Sequence, residues 1–323
     1  MTQLQPLPGA ESLKGEALFF PEAFGDAFMV LVALLPLLVL ALLQGLLEFL
    51  PASSEGQVML VSVLFFGIDP STALSVAIWM HLGTAAAVLV FYRVDIFGPV
   101  YHRLAPEKSR PKPPTETASP PAKTAGLFGS LFRFILVGSV GTAIVALPTY
   151  LLLRALVSRL IGETVSALIG ALLMVTGILL YSQRGKKGGR RLDSISLKEA
   201  FLLGLAHGFA VLPGISRTGV TLTWLLLRRV ERKEALRLSF VLGVPAVAGV
   251  VGLEVLQGMV FWTDPITLAL IVVVALLTGL GALATLRVAA VRVPFWAFCL
   301  VLGLAAIVFA IPAIVTFAAL PTP

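Results

Sequence analysis

Long apolar runs dominate the chain, and short polar segments separate them. Six runs each approach or exceed the ~20 residues that a helix needs to cross a hydrocarbon layer of about 30 Å. These runs cover residues 73–92, 131–156, 162–181, 238–261, 265–288 and 295–317. The pattern predicts an all-α integral membrane protein with six transmembrane helices.

Two further apolar runs, residues 29–67 and 200–227, are each interrupted by a polar segment that contains proline. Basic residues flank both ends of the run at 200–227, so both ends are predicted to lie on the same side of the membrane. The halves of that run are each too short for a comfortable crossing. We therefore expect each run to form a re-entrant helical hairpin, one in each half of the chain.

The distribution of basic residues predicts the orientation. Lys and Arg collect in four segments, at residues 93–133, 184–198, 228–237 and 287–292. By the positive-inside rule these segments are cytoplasmic, and the less basic N-terminus and the segments near 154–163 and 254–264 lie outside. Each half of the chain is then one hairpin plus three transmembrane helices, and the halves have opposite orientation. This is an inverted-topology repeat with the two hairpin tips meeting near the middle of the membrane.

These assignments divide the chain into consecutive parts. Residues 1–28 are mixed in composition and lack the pattern of a cleavable signal, so we interpret them as an N-terminal extension. The other parts are the first repeat (29–181), with a Pro-rich, disordered cytoplasmic loop at about 105–123, a basic cytoplasmic linker (182–199) and the second repeat (200–323).

Composition agrees with this class of protein. Hydrophobic residues make up 58% of the chain and charged residues 13%, with a net charge of +7. Because the positive charge lies in loops beside apolar runs, it indicates a bilayer as partner and not nucleic acid. The single cysteine, Cys299, excludes an intramolecular disulfide and a Cys-based metal site.

The two polar interruptions, residues 44–56 and 207–219, share one pattern. Each begins with Gln or His before Gly, runs to Leu-Pro, places Ser three residues after that Pro and ends on Gly. A carboxylate, an Arg and several hydroxyls are costly in apolar surroundings unless they pair or meet water. The two segments therefore predict a buried polar site, and this is where we look for function.

These residues resemble a known family. The Glu-Phe-Leu-Pro-x-Ser-Ser core at 48–54, the segment Pro-Gly-Ile-Ser-Arg-Thr-Gly at 213–219 and the segment Ser239 to Pro245 are similar to the bacitracin-resistance family of undecaprenyl-diphosphate phosphatases. The likeness covers roughly residues 32–317. It implies removal of the terminal phosphate from a polyprenyl diphosphate at the outer leaflet of the plasma membrane, with a divalent cation such as Mg or Ca. The lipid and the bilayer are the expected partners, and a homodimer is left open.

The chemistry of the residues agrees with a phosphoryl site. Arg217 offers a bidentate fork for phosphate, and Ser53 or Ser54 either attacks phosphorus or holds it for water, while Glu48 orders a metal or takes a proton. The predicted catalytic residues are Glu48, Ser53, Ser54, His207 and Arg217. The predicted substrate-binding residues are Gln44, Gln57, Gly214, Ser216, Arg217, Thr218 and Thr221, and the predicted metal ligands are Glu48 and Glu55.

The chain also departs from the family pattern. The family usually carries two carboxylates four residues apart where this chain has Gln44 and Glu48, and a His where this chain has Gln57. Conversely, His81 and His207 stand where the family often has Gln. One hypothesis is that His207 or His81 replaces the base, with Glu55 as second metal ligand.

Other interpretations stay open at this point. A site that binds polyprenyl phosphate without hydrolysis would make the protein a flippase or transporter, and an ion-coupled carrier of small anions is a third alternative. Structural roles are alternatives too: the tip serines as helix caps, Arg217 as the counter-ion of Glu48, and His81 as a hydrogen-bonding residue between helices.

Overall fold

The computed structural model describes residues 22–97, 121–185, 188–258, 264–289 and 294–318. In these ranges the chain is built of helices, and its β-type pairing is a single bridge between Arg190 and Val230. The predicted all-α class is confirmed.

The helices with defined bounds are α1 (Glu22–Leu47), α2 (Ser54–Phe66), α3 (Pro70–Phe91), α4 (Pro121–Val157), α5 (Gly162–Ser182), α6 (Leu197–Gly208), α7 (Arg217–Leu227), α8 (Arg232–Leu256), α9 (Pro265–Ala289) and α10 (Phe295–Ala318). Two short 3-10 helices, Leu192–Ser194 and Phe209–Val211, flank α6.

Within the described ranges, six helices are long and apolar enough to cross a membrane: α3, α4, α5, α8, α9 and α10. They coincide with the six predicted apolar runs, so the prediction of a multi-pass membrane protein is confirmed. The large apolar side chains of α4 that face outward, Leu136, Val140, Ile144 and Leu151, follow one another at helical spacing. An exposed apolar stripe of this length suits contact with lipid and not with water.

Two helices begin earlier than the sequence analysis expected. Helix α1 begins at Glu22, inside the stretch assigned to the N-terminal extension (1–28), and α4 begins at Pro121, inside the Pro-rich loop (105–123). Proline is compatible with the first turn of a helix, where its missing N–H has no partner to lose. The remainder of the extension and of the loop lies outside the described residues.

Both interrupted apolar runs are broken at the expected prolines. Helices α1 and α2 pack side by side and are joined by a turn that contains Pro51, and α6 and α7 are joined in the same way through Pro213. The turns need unusual backbone angles, with φ of 54° at Ser53 and 106° at Gly214. The result is two helical hairpins, each with a compact polar tip.

The long helices pack closely around the two hairpins. Helix α4 packs along α6, and α9 packs along α1 and α3, while α5 and α10 form the most extensive pair. A Cβ on Gly303 would lie 2.5 Å from the carbonyl oxygen of Gly170 on α5. This spacing requires glycine, and such close approach of small residues is how helices associate in lipid.

Candidate active site

The two hairpin tips touch through a serine of the first and a glycine of the second. Ser53 Oγ accepts hydrogen bonds from the backbone N–H of Gly214, at 3.0 Å, and from the N–H of Gly56, at 3.4 Å. It therefore caps the N-terminus of α2 and also joins the tips. A Cβ on Gly56 would lie 2.7 Å from Gly214 N, so the contact leaves room only for glycine.

Ser216 caps the second hairpin in the same manner. Its hydroxyl oxygen accepts from the backbone N–H of Gly219 at 3.0 Å, at the start of α7. Thr176, in the middle of α5, holds this tip in place because its hydroxyl donates to Gly214 O (2.8 Å) and accepts from Ser216 N (3.1 Å). Ser216 and Gly214 are thus occupied by contacts within the protein.

Glu48 is the centre of the polar cluster between the tips. One carboxylate oxygen, Oε1, accepts from Nη2 of Arg217, which comes from the other hairpin. The second oxygen, Oε2, accepts from Gln44 Nε2 (2.7 Å) and from Ser54 Oγ (2.6 Å), and it lies 3.2 Å from His81 Nε2. The structure therefore brings Gln44, Glu48, Ser54 and Arg217 together, with His81 added from α3.

The hydrogen bonds distinguish the two adjacent serines. Ser53 serves as cap and as link between the tips, whereas the hydroxyl of Ser54 points at the carboxylate of Glu48. A serine that donates to a carboxylate has its proton acceptor in place, which is the arrangement that an activated nucleophile needs.

Each ring nitrogen of His81 faces an oxygen atom. Nδ1 lies 2.6 Å from the carbonyl oxygen of Ala77, which can only accept, and Nε2 faces Glu48. Nδ1 is therefore occupied within α3, and Nε2 is the ring nitrogen that faces the cluster. The base role of His81, one sequence hypothesis, stays a prediction.

Several other predicted residues point elsewhere. Gln57 Nε2 donates to Ala52 O at 2.6 Å within its own tip. The Thr221 hydroxyl is taken up by Arg217 O (2.8 Å) and by the hydroxyl of Ser239 on α8, so it stabilises α7 against α8. Thr218 is buried beside Arg217 and lines a small void behind it. Glu55, in contrast, is half-buried and faces a larger cavity.

That cavity has a volume of about 310 Å³ and adjoins the tips. Apolar side chains of α4 and α8 form most of its wall. The polar side chains in its lining are those of Glu55, His81, Ser139, Thr142, Tyr150, His207 and Arg217. Pro245, a helix-breaking residue inside α8, also faces it. A polar end that continues into an apolar space suits a ligand with a charged head and a hydrocarbon tail.

His207 lies on the cavity wall formed by α6. Its side chain is buried, and Nδ1 lies 3.0 Å from Thr142 Oγ1 on α4. Its other ring nitrogen, Nε2, has no hydrogen-bond partner within the described part of the chain. His207 is therefore separate from the Glu48 cluster but shares the cavity with Arg217.

The predicted metal ligands do not form a cation site as they are arranged. Three donors, on Gln44, Ser54 and Arg217, occupy the two oxygens of Glu48, and His81 Nε2 lies 3.2 Å from one of them. No three His, Cys, Asp or Glu side chains of the described ranges cluster in a way that could hold an ion. Mg and Ca require about six or more oxygen ligands in close array. The cation therefore stays a prediction.

The sequence analysis missed a second buried polar cluster. Arg154 of α4 and Glu254 of α8 form an ion pair in which the side chain of Glu254 is fully buried, and Tyr150 donates to the same carboxylate. Ser75 of α3 completes the cluster at 2.9 Å from Glu254 Oε2. The sequence analysis placed both charged residues in segments outside the membrane, although each lies inside an apolar run. A charge inside an apolar run is the signal that could have revealed the pair.

Comparison with known proteins agrees with these features. The profile of the family described as bacitracin resistance protein BacA matches residues 37–308. A Methanothrix thermoacetophila protein named undecaprenyl-diphosphatase is 36% identical over 267 residues, covering 83% of this chain and 93% of the relative. Proteins of the same name from Haloarcula marismortui and Desulforapulum autotrophicum are 35% and 36% identical, covering 85% and 84% of this chain and 94% and 96% of theirs. The chain belongs to the BacA family of bacitracin resistance proteins.

Proposed function

We propose that this protein is a membrane phosphatase that removes the terminal phosphate of a polyprenyl diphosphate of the undecaprenyl type and so recycles the carrier lipid. The names of its relatives support the activity. The observation that carries the proposal is the cluster of Arg217, Glu48 and Ser54 at the meeting point of the tips. It combines a bidentate cation for phosphate with a serine whose proton acceptor is already in place.

In the first step, the diphosphate binds the guanidinium of Arg217 and replaces Glu48 as its partner. Removal of its guanidinium partner leaves Glu48 a stronger proton acceptor for the Ser54 hydroxyl. The Ser54 Oγ–H bond then breaks, the proton passes to Glu48 Oε2, and Oγ forms a bond to the terminal phosphorus. The bond from that phosphorus to the bridging oxygen breaks, and the lipid monophosphate leaves while Arg217 balances its negative charge.

The cavity and the helix surfaces support a lipid substrate. The cavity continues from Arg217 along apolar residues of α4 and α8, and the outer face of α4 is apolar as well. A headgroup at Arg217 would leave the hydrocarbon chain beside the lipid-facing helices. The enzyme would then act without lifting the chain out of the bilayer.

We also propose that the two halves form an inverted repeat, with re-entrant hairpins and a site open to the outer leaflet of the plasma membrane. Two packing relationships support it. Helix α4 of the first half packs on α6 of the second hairpin, and the corresponding helix of the second half, α9, packs on α1 of the first. In both halves the hairpin helix after the tip, α2 or α7, packs on the helix that follows it.

Single cysteines test this topology in a variant with Cys299 replaced. Asp193 in the basic linker and Asp264 before α9 are both exposed. A cysteine at Asp193 should react with a membrane-impermeant reagent only from the cytoplasm, and one at Asp264 only from outside. Equal labelling of both in intact cells contradicts the proposed orientation.

Phosphate release from undecaprenyl diphosphate by the purified protein tests the activity. We expect release that follows protein concentration and disappears in Ser54→Ala. Assays with and without a chelator test the expected cation separately. Tight binding of the lipid with no release of phosphate would contradict the phosphatase and favour a flippase.

A further inference from the structure

The cavity is also lined by polar side chains of α4 and α6 that the first chemical step does not use. Two buried polar atoms there lack a partner within the described residues, Ser139 Oγ and His207 Nε2. Both residues line the cavity that Arg217 also lines. Buried polar atoms are nearly always hydrogen-bonded, so two such atoms in the lining of one cavity indicate that the cavity takes a polar ligand.

The contact with Thr142 bears on whether His207 Nε2 faces that ligand as a hydrogen-bond donor or as an acceptor. The hydroxyl of Thr142 carries one hydrogen, and it donates this to the carbonyl oxygen of Gly138 at 2.9 Å. With that bond made, Thr142 can only accept from His207, an arrangement with the imidazole hydrogen on Nδ1, 3.0 Å from Thr142 Oγ1. In that tautomer the lone pair is on Nε2, the ring nitrogen without a partner in the described residues. Ser139, three residues before Thr142 on the same helix face, has a hydroxyl without a partner in the described residues.

We propose that Ser139 and His207 bind the water molecule that completes the reaction, with Thr142 as the positioning residue that fixes the tautomer of His207. Water accepts from the Ser139 hydroxyl and donates to His207 Nε2. A neutral acceptor at Nε2 suits water better than a phosphate oxygen, because the imidazole nitrogen and a phosphate oxygen would each offer a lone pair.

This assignment rests on the proposed phosphatase activity and supplies its second step. One O–H bond of the water breaks, and the proton passes to His207 Nε2. The water oxygen bonds to the phosphorus held on Ser54, the bond from phosphorus to Ser54 Oγ breaks, and Oγ recovers its proton from Glu48. Inorganic phosphate leaves, and the proton on His207 passes to solvent. The chain thus performs at His207 the base chemistry that Gln57 cannot supply.

Rapid acid quench with lipid diphosphate labelled at the terminal phosphate tests this step. In His207→Gln we expect turnover to fall by about 100-fold or more and labelled phosphate to accumulate on Ser54, because the first step still runs. Wild-type turnover in that variant, or slow turnover without trapped phosphate, overturns the role. A wild-type protein that releases no phosphate would instead contradict the phosphatase itself.

Variants of two threonines of α4 distinguish a positioning role of Thr142 towards His207 from a purely structural role. Thr142→Val removes the hydroxyl that accepts from Nδ1 and should reproduce the defect and the trapped phosphate, and Thr142→Ser should restore turnover. Thr149→Val is the matched control, since within the described residues its hydroxyl bonds only to Val145 O on the same helix and it does not line the cavity. If Thr142→Ser turns over as slowly as Thr142→Val, the hydroxyl of residue 142 does not position His207.

The tautomer of His207 can also be measured directly, without an assay of activity. The chain has three histidines, so the ¹⁵N spectrum of histidine-labelled protein is simple, and a variant lacking His81 and His102 isolates the signal of His207. We expect the hydrogen on Nδ1. A hydrogen on Nε2 in the wild type would overturn the proposal.

Discussion

Ser53 Oγ accepts a hydrogen bond from the backbone N–H of Gly214 at 3.0 Å, across 161 residues of sequence. This contact fixes the distance between the hairpin tips, and so the position of Arg217 relative to Glu48. The neighbouring serine, Ser54, faces the carboxylate. Ser53 therefore links the tips, whereas Ser54 contacts Glu48, and mutagenesis can separate these two roles.

Ser54→Ala should lower turnover by roughly 10³-fold or more, since the nucleophile is removed. Ser53→Ala should instead destabilise the protein by about 1–3 kcal/mol, because α2 loses its cap and the Gly214 N–H is left unpaired. Thermal unfolding in detergent and phosphate release, measured on both variants, check this. Loss of turnover at unchanged stability in Ser53→Ala, with an active Ser54→Ala, would reverse the assignment.

Arg217→Lys should lower kcat/KM by about 100-fold or more, because a point charge cannot replace the bidentate fork that binds phosphate. Arg237→Lys is the matched control, since Arg237 pairs with Glu234 near the N-terminus of α8. The measurement is phosphate release over a range of lipid diphosphate concentrations. An Arg217→Lys variant with wild-type kcat/KM would exclude the phosphate clamp.

The sequence predicted the helix breaks and the residue types of the site, because proline, glycine and charge inside apolar runs are strong local signals. It did not predict which serine faces Glu48. Aligning the two motifs on their prolines pairs Ser54 with Ser216, whereas the caps pair Ser53 with Ser216. The one-residue offset accompanies the left-handed backbone of Ser53, with φ of 54°, at the residue that also contacts the other tip through Gly214.

Polar residues within the apolar helices escaped the sequence analysis for a different reason. Thr142, Thr176 and Ser139 each lie in a long run that could place them against lipid or against a neighbouring helix. Only the packing of α4 on α6, and of α5 on the second tip, decides which face is inside. A pattern of apolar positions carries little of that information when all faces of a helix are apolar.

Gly56→Ala should prevent the tips from closing, because the added Cβ would lie 2.7 Å from Gly214 N and 3.0 Å from Gly214 Cα. Both neighbours are backbone atoms and cannot move independently. We expect loss of turnover together with a lower unfolding temperature. Gly252→Ala on α8 is the control: its Cβ would meet nothing within 4 Å, so it should leave stability unchanged or raise it by up to about 1 kcal/mol.

Removing one partner of the ion pair of Arg154 and Glu254 should lower the free energy of unfolding more than replacing both partners by leucine. Glu254→Leu leaves the Arg154 charge unpaired among α3, α4 and α8, and we expect destabilisation of about 3–5 kcal/mol. Adding Arg154→Leu should restore part of that loss, because no lone buried charge remains. Chemical or thermal unfolding of the two single variants and the double variant checks this. Additive losses in the double variant would show that the pair does not act as a unit.

The contribution of the pair Arg190 and Glu199 to stability should depend on pH. Arg190 binds Glu199 through two hydrogen bonds of 3.0 Å, and together with Ser196 it lowers the pKa of this carboxyl from 4.5 to about 2. The folded pKa lies below the unfolded one, so the contribution to stability is complete above about pH 4.5 and is lost as the pH falls towards about 2. Glu199→Gln should therefore melt at a lower temperature than wild type near neutral pH.

This difference in melting temperature should shrink steadily once the pH falls below about 4.5, where the free carboxyl begins to protonate. Asp193→Asn is the matched control, because Asp193 lies in the same linker and is exposed, so its melting curve should follow wild type throughout. A Glu199→Gln deficit that stays constant down to about pH 2 would mean that the side chain stabilises α6 by its shape and not by its charge.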